Sequence, residues 1–342
     1  MPALTPLSGV PFDPEYTPGA RNAVNVCLRV QPTEKVTVIA DRACLDIAAS
    51  IAHELEKVGA PYRPFVLEEH APPRPLVNMP SAILDDLETS QVSIFAVQAQ
   101  TNELKTRMQM TEVVNRRGIR HAHMVNIEGR IMCEGLRADF REVDELSIRV
   151  RDIVSRARAV RATTPAGTDL VALLNPAYQW IKTSGIISPQ KWGNLPGGEV
   201  FTTPGEVNGT FVIDGVVGDY LCAKYGSLKA APLTVTIENN RLKACHSSNR
   251  ELETEFWRYT HTDANSDRVG EFAIGTNLAL REVIGNILQD EKIPGVHIAF
   301  GNPYGAHTGA EWDSSTHIDV VGTDFDIWAD DLPIMRAGRF VI

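Results

Sequence analysis

The chain has 342 residues, 43% of them hydrophobic and 22% charged, with 33 Lys and Arg against 43 Asp and Glu for a net charge of −10. Such a composition can build a core and excludes wholesale disorder, and an acidic balance without a dense Lys/Arg stripe offers no field to hold nucleic-acid phosphates. No run approaches the roughly 20 apolar residues of a membrane span, and at about 150 residues per domain the length predicts two domains.

In chain order, the opening MPALTPLSGVPFDPEYTPG lacks a basic start and a following apolar run, so it does not read as a signal peptide. Prolines at 2, 6, 11, 14 and 18 predict an extended arm to about residue 30. VTVIA (36–40) reads as a buried strand, LDIAASIAHELEKVGA (45–60) as a helix with a glycine stop, and YRPFVLE (62–68) as a second strand. The alternation continues with a helix in PSAILDDLET, a strand at 91–98, a helix in NELKTRMQMTEVVNRRG, a strand at 120–126 and an amphipathic helix at 144–160. This order predicts an α/β N-terminal domain, residues 1–162, on a mostly parallel sheet. DRACLD (41–46) follows the first strand where a GxGxxG would stand, so a dinucleotide is not indicated.

From ATTPAG (162–167), a turn or hinge, the runs become strand-like: DLVALL, GTFVIDG, APLTVTIENNRLKAC, GVHIAFG, THIDVVGTDFDIWAD and GRFVI. Asn239–Asn240 between two apolar runs signals a hairpin. LETEFWRY (252–259) and LALREVIGNIL (278–288) read as inserted helices. Residues 163–342 are therefore expected to form a mixed α+β, strand-rich domain. Cys27, Cys44, Cys133, Cys222 and Cys245 are odd in number, scattered and without CxxC, which argues against a disulfide framework and for a reducing cytoplasm.

The chemistry-bearing residues lie in this second half. Glu199 stands in NLPGGEVFTTP, Glu271 in GEFAIGTN, His297 in GVHIAFGNPYG, and His317 with Asp319 in STHIDVV. On a strand, side chains at i and i+2 share a face, so His317 and Asp319 project together. Two histidines and three carboxylates are a ligand set for two divalent ions if one carboxylate bridges. Two cations about 3.5–4 Å apart polarise a carbonyl and generate hydroxide near neutral pH. The N/O character suits zinc, cobalt or manganese, and the glycines before Glu199 let the backbone turn sharply.

NLPGGEVFTTP, GEFAIGTN, DEKIPGVHIAFGNPYG and STHID, in that order over roughly residues 190–325, resemble the motifs of the aminopeptidase T family of metallopeptidases. The resemblance implies two metal ions (Zn, Co or Mn) held by Glu199, Glu271, His297, His317 and Asp319, with Tyr304 beside them to hydrogen-bond the tetrahedral intermediate. It implies catalytic roles for Glu199, Glu271 and Tyr304, either glutamate taking the proton, on a peptide or small amide substrate. It also implies a homodimer. A carboxylate not consumed by the metals would hold the free α-amine of the substrate. Ring-opening 2,5-dihydroxypyridine dioxygenases share the fold and use a single Fe(II) on two histidines and an aspartate, with histidine where this chain has Glu271. They supply the alternative function, with His317, Asp319 and one more residue as ligands. A non-catalytic protein that keeps a structural metal is the third reading.

Other candidates read more plainly. His121 and His123 alternate on a strand with no carboxylate suggested nearby, as structural residues. Cys245 and His246 point to opposite faces and make no dyad. His307, Glu311 and Asp313 occupy a loop between two ligand blocks, placed for a substrate amine or proton transfer. Glu291 and Lys292 read as an ion pair, and Arg281 and Glu282 as a solvent-facing pair.

Overall fold

The computed structural model describes residues 6–70, 73–100, 102–189 and 193–342. The chain divides into two compact units, Met1–Arg141 with Gly185–Gly197 and Glu142–Ser184 with Gly198–Ile342.

The first unit is built on a parallel sheet whose strands run in the order Tyr62–Val66, Val36–Ala40, Val92–Val97, Arg120–Val125, with Gly193–Asn194 at the edge. Every residue of Val36–Ala40 and Val92–Val97 is buried, as expected of parallel strands covered on both faces. The helix Leu45–Val58 stops at Gly59, and Leu104–Arg117 stops at Gly118; both glycines take the left-handed conformation, φ 80° and 64°, that closes a helix. The opening segment departs from the expected extended arm. It is helical in three short pieces, Pro14–Tyr16, Thr17–Arg21 and Asn22–Cys27. Pro14 and Pro18 fall in first turns, where the missing N–H costs nothing, and Gly19, Ala20, Ala23, Val24 and Cys27 are buried.

At the carboxyl ends of the parallel strands, Asp41 follows the first strand and Gln98 the third. Arg74 fills the space between them, 2.6 Å from Asp41 Oδ2 and 2.9 Å from Glu103 Oε1, and donates to the Gln98 carbonyl at 2.6 Å. Its side chain is almost wholly buried.

The second unit contains two antiparallel sheets around one apolar core. One sheet has the order Arg241–Ser247, Leu233–Glu238, Glu206–Ile213, Asp169–Leu173, Ala159–Thr163, Asp326–Ala329, Leu332–Arg336, Arg339–Phe340. The other runs His317–Val321, Gly295–Gly301, Val269–Gly275, Glu199–Thr202, Ile181–Thr183. Asn239 and Asn240 take φ 52° and 66°, the pair of positive values that a tight two-residue hairpin requires.

Two expected helices change. The one read at 144–160 spans Phe140–Val154, and Leu146, Val150 and Val154 pack into the core of the second unit. Ala159–Thr163 is instead a strand, paired antiparallel with Asp169–Leu173 across the turn that the sequence placed at 162–167. The segment 278–288 is largely irregular, and only Ile287–Asp290 forms a helical turn. The buried Asp290 carboxylate takes the backbone N–H groups of Ile284, Gly285 and Asn286 at 2.8–3.2 Å, which satisfies them without a helix.

Candidate metal centre

The five-stranded sheet sorts its side chains by strand periodicity. Val200, Phe272, Ile274, Val296, Ile298, Phe300, Ile318 and Val320 belong to the apolar core. The alternate positions carry Glu199, Glu271, His297, His317 and Asp319, all on the other face. In register, Glu199 pairs with Gly275 and Thr183, Ala273 with His297, Ala299 with both Glu271 and Asp319, and Gly301 with His317. Small residues thus separate the polar ones, and residues some 120 positions apart in sequence converge on one patch.

Glu271 sits at the middle. Its Oε1 lies 3.4 Å from His297 Nε2 and its Oε2 3.6 Å from His317 Nε2. Glu199 Oε2 is 3.5 Å from His297 Nε2, and Asp319 Oδ1 is 3.3 Å from His317 Nε2. Glu199, Glu271 and His297 present ligand atoms within 4.8 Å of one another, a spacing that one ion can span.

The outer contacts orient these groups. Glu199 Oε1 accepts from Thr183 Oγ1 and from the buried Lys292 ammonium, both at 2.7 Å, which leaves Oε2 facing His297. His317 Nδ1 lies 2.9 Å from the Asn302 carbonyl, so it carries the proton there and Nε2 faces the carboxylates. Gly198, at φ 131°, allows the entry into the Glu199 strand; a Cβ there would meet Asn277 at 2.7 Å.

Charge explains the protonation. Burial alone would push His297 and His317 down. Glu271 and Glu199 outweigh it at His297, and Asp319 and Glu271 at His317, so they rise to about 9 and about 10. Burial would likewise raise Asp319, but His317 draws it down to about 2. Lys292 and His297 hold Glu199 below its ordinary value against burial, whereas burial keeps Glu271 above it. The carboxylates thus call for positive charge beside both imidazoles, and among the described residues the buried Nδ1 of His297 has no hydrogen-bond partner. A nitrogen and oxygen donor set with an acidic surplus fits divalent cations.

Tyr304 has its ring 4.4 Å from that of His317 and keeps 43% of its surface exposed at the rim. Its backbone is left-handed, φ 50°, rare for a bulky residue, and its N–H donates to Asn302 Oδ1 at 2.8 Å. The remaining sequence candidates separate from this cluster. His307 lies exposed in the Gly305–Thr308 turn, Glu311 is exposed, and exposed Asp313 accepts from Asn302 Nδ2 at 2.6 Å. Cys245 is half-buried, and the exposed His246 ring lies 3.2 Å from Glu253. Arg281 and Glu282 are exposed.

Glu291 and Lys292 carry more than an isolated ion pair would. Lys292 joins Glu291 to Glu199, and a carboxylate oxygen of Glu291 lies within 4.8 Å of ligand atoms of both His297 and Asp319. The available signal was a DEK triplet directly preceding a fully buried strand. Thr183 and the strained Tyr304 backbone left no comparable mark in the sequence.

Comparison with known proteins places this geometry. No curated protein matches the chain. AmpT from Thermus thermophilus superposes with a TM-score of 0.72 at 17% identity, covering 96% of this chain and 99% of that one. A 2,5-dihydroxypyridine dioxygenase from Pseudomonas putida KT2440 gives a TM-score of 0.69 at 15% identity, covering 95% and 96%. At such identities the likeness is one of fold. A family model described as thermophilic metalloprotease (M29) matches residues 134–340, which contain every strand of the polar patch. With well over half of its length matched, the chain belongs to the M29 family of metalloproteases and is a metal-dependent peptidase.

Proposed function

We propose that the protein is an aminopeptidase-type hydrolase with two divalent ions, zinc, cobalt or manganese, held by Glu199, Glu271, His297, His317 and Asp319. The observation that carries this reading is Glu271, which turns one oxygen to each histidine and so stands as the bridging ligand. Bound divalent ions supply Lewis acidity and a water that ionises near neutral pH. The protein supplies the rest. Lys292 and Thr183 fix one oxygen of Glu199, and Asn302 fixes the tautomer of His317. Glu199 takes the proton released on attack and returns it to the leaving amine. Tyr304 donates a hydrogen bond from its phenol to the oxyanion. The substrate is a peptide or small amide, the assembly a homodimer, and the setting the cytoplasm. The five cysteines, odd in number, scattered and without a CxxC, suit that setting.

The test is chelation followed by reloading. Hydrolysis of aminoacyl anilides should vanish with chelator and return with Zn²⁺, Co²⁺ or Mn²⁺, and two metal equivalents should be measured by mass spectrometry. Undiminished turnover after stripping would refute the reading. The fold likeness to a dioxygenase motivates a second reading, one Fe(II) on His317, Asp319 and one more residue. Oxygen uptake with a hydroxylated heteroaromatic, in an iron-loaded sample that hydrolyses no amide, would establish it. The glutamate at 271, between both histidines, favours hydrolysis.

A further inference from the structure

We infer that Glu291 is the carboxylate that receives the free α-ammonium of the substrate, and so makes the site act on amino termini. The inference rests on the hydrolase reading above and concerns the same site. Each of the three other carboxylates of the patch lies against an imidazole. Glu271 divides its two oxygens between His297 and His317, Glu199 gives one to Lys292 and Thr183 and turns the other to His297, and Asp319 faces His317. Glu291 remains. It follows the Ile287–Asp290 turn, its side chain is 11% exposed, and its Oε1 is paired with the Lys292 ammonium. Among the described residues Lys292 is its ion-pair partner, so its second oxygen is left for an incoming cationic group.

Its place in the site suits that role. A Glu291 oxygen lies within 4.8 Å of ligand atoms of His297 and Asp319, so a group held on Glu291 sits beside the metal ligands. In an amino acid the amine nitrogen and carbonyl carbon are two bonds apart, roughly 2.5 Å. An ammonium paired with Glu291 therefore brings its own carbonyl, and no carbonyl further along the chain, to the reactive centre. Lys292 ties Glu291 to Glu199, so the amine anchor and a metal ligand share one buried ammonium as their common reference point. A substrate lacking the amine would leave this carboxylate without its second partner, which is how a polar site rejects an analogue that lacks one group.

The experiment compares wild type with Glu291→Gln, both metal-loaded, using two pairs of probes. The first pair is a leucyl anilide and its des-amino analogue, read as kcat/KM. The second is leucine hydroxamate and its des-amino analogue, read as binding by calorimetry, with metal content measured on both proteins. Wild type should prefer the amine-bearing member of each pair by about thirtyfold or more. Glu291→Gln should abolish both preferences, retain two metal equivalents and leave the des-amino probes unaffected. A preference retained in Glu291→Gln, an equal fall on both members of a pair, or loss of a metal equivalent would overturn the assignment, the last by making Glu291 a ligand. If metal-loaded wild type hydrolyses neither anilide yet the amine preference in hydroxamate binding vanishes in Glu291→Gln, the hydrolase reading fails while the amine site stands.

Discussion

Both units contain two site-type side chains at i and i+2 on a strand, and the outcomes are opposite. In the parallel sheet, His121 Nδ1 lies 2.8 Å from Ser93 Oγ, His121 Nε2 lies 3.1 Å from His123 Nδ1, and the His123 ring stacks on Phe95. Burial holds both imidazoles neutral, His121 down to about 3. In the antiparallel sheet, His317 and Asp319 share a face of the edge strand His317–Val321, more exposed than the histidine pair, yet His317 rises to about 10. Burial opposes positive charge in both. The difference begins on the strand itself, where position i+2 carries Asp319 instead of a second histidine, and continues on the neighbouring strands, which supply Glu271 in one case and Ser93 and Phe95 in the other. A histidine on a strand thus takes on positive charge or stays neutral according to the carboxylates that sequence and register bring beside it.

The largest test of that contrast is removal of the central carboxylate. Glu271→Ala should lower kcat/KM by about a thousandfold or more and reduce bound metal, while His121→Ala should leave metal content at the wild-type value. Metal loss in His121→Ala would break the comparison. Next in size, Tyr304→Phe should lower kcat by about a hundredfold with metal retained, as expected for loss of one oxyanion donor.

The third test is pH. His121 is depressed in the folded state, so between pH 6.5 and about 3 the unfolded chain binds a proton that the folded chain does not. Its stabilising contribution is therefore present above the unfolded value and is lost as pH falls. Relative to pH 7, it should remove about 2 kcal/mol of stability by pH 5. Denaturant unfolding of the chelated protein should show this drop, and His121→Leu should be less stable at pH 7 but show a drop smaller by about that amount. The smallest effect is expected at the second unit's exposed His246. Since Cys245 and His246 point to opposite faces of their strand, His246→Ala should change kcat/KM by less than about twofold.

What the sequence revealed follows from which forces are local. The Gly59 stop and the Asn239–Asn240 turn act within a few residues, and each is found where it was read. The failures lie where tertiary partners decide. Pro14 and Pro18 start helical turns because Ala20, Val24 and Cys27 are buried there, and 278–286 stays irregular because Asp290 satisfies its N–H groups. The polar patch was legible as residue types in four separated blocks. Its register was not, since pairing Glu271 with Ala299 and Ala299 with Asp319 depends on three strands aligning. Glu291 and Lys292 read as an ion pair, which they form, but their further contacts with Glu199, His297 and Asp319 depend on the buried strand that follows them.

Arg74 bears on what the parallel-sheet unit can accept. Open sheets of this order take their ligands at the carboxyl ends of the strands, where the chain reverses direction across the sheet. Here Asp41 and Glu103 meet a guanidinium supplied by the same chain. An incoming phosphate would face two carboxylates whose counter-charge is already in place, and an incoming cation would have to evict a tethered, almost fully buried rival. The strand ends of this sheet thus carry their own tethered counter-ion.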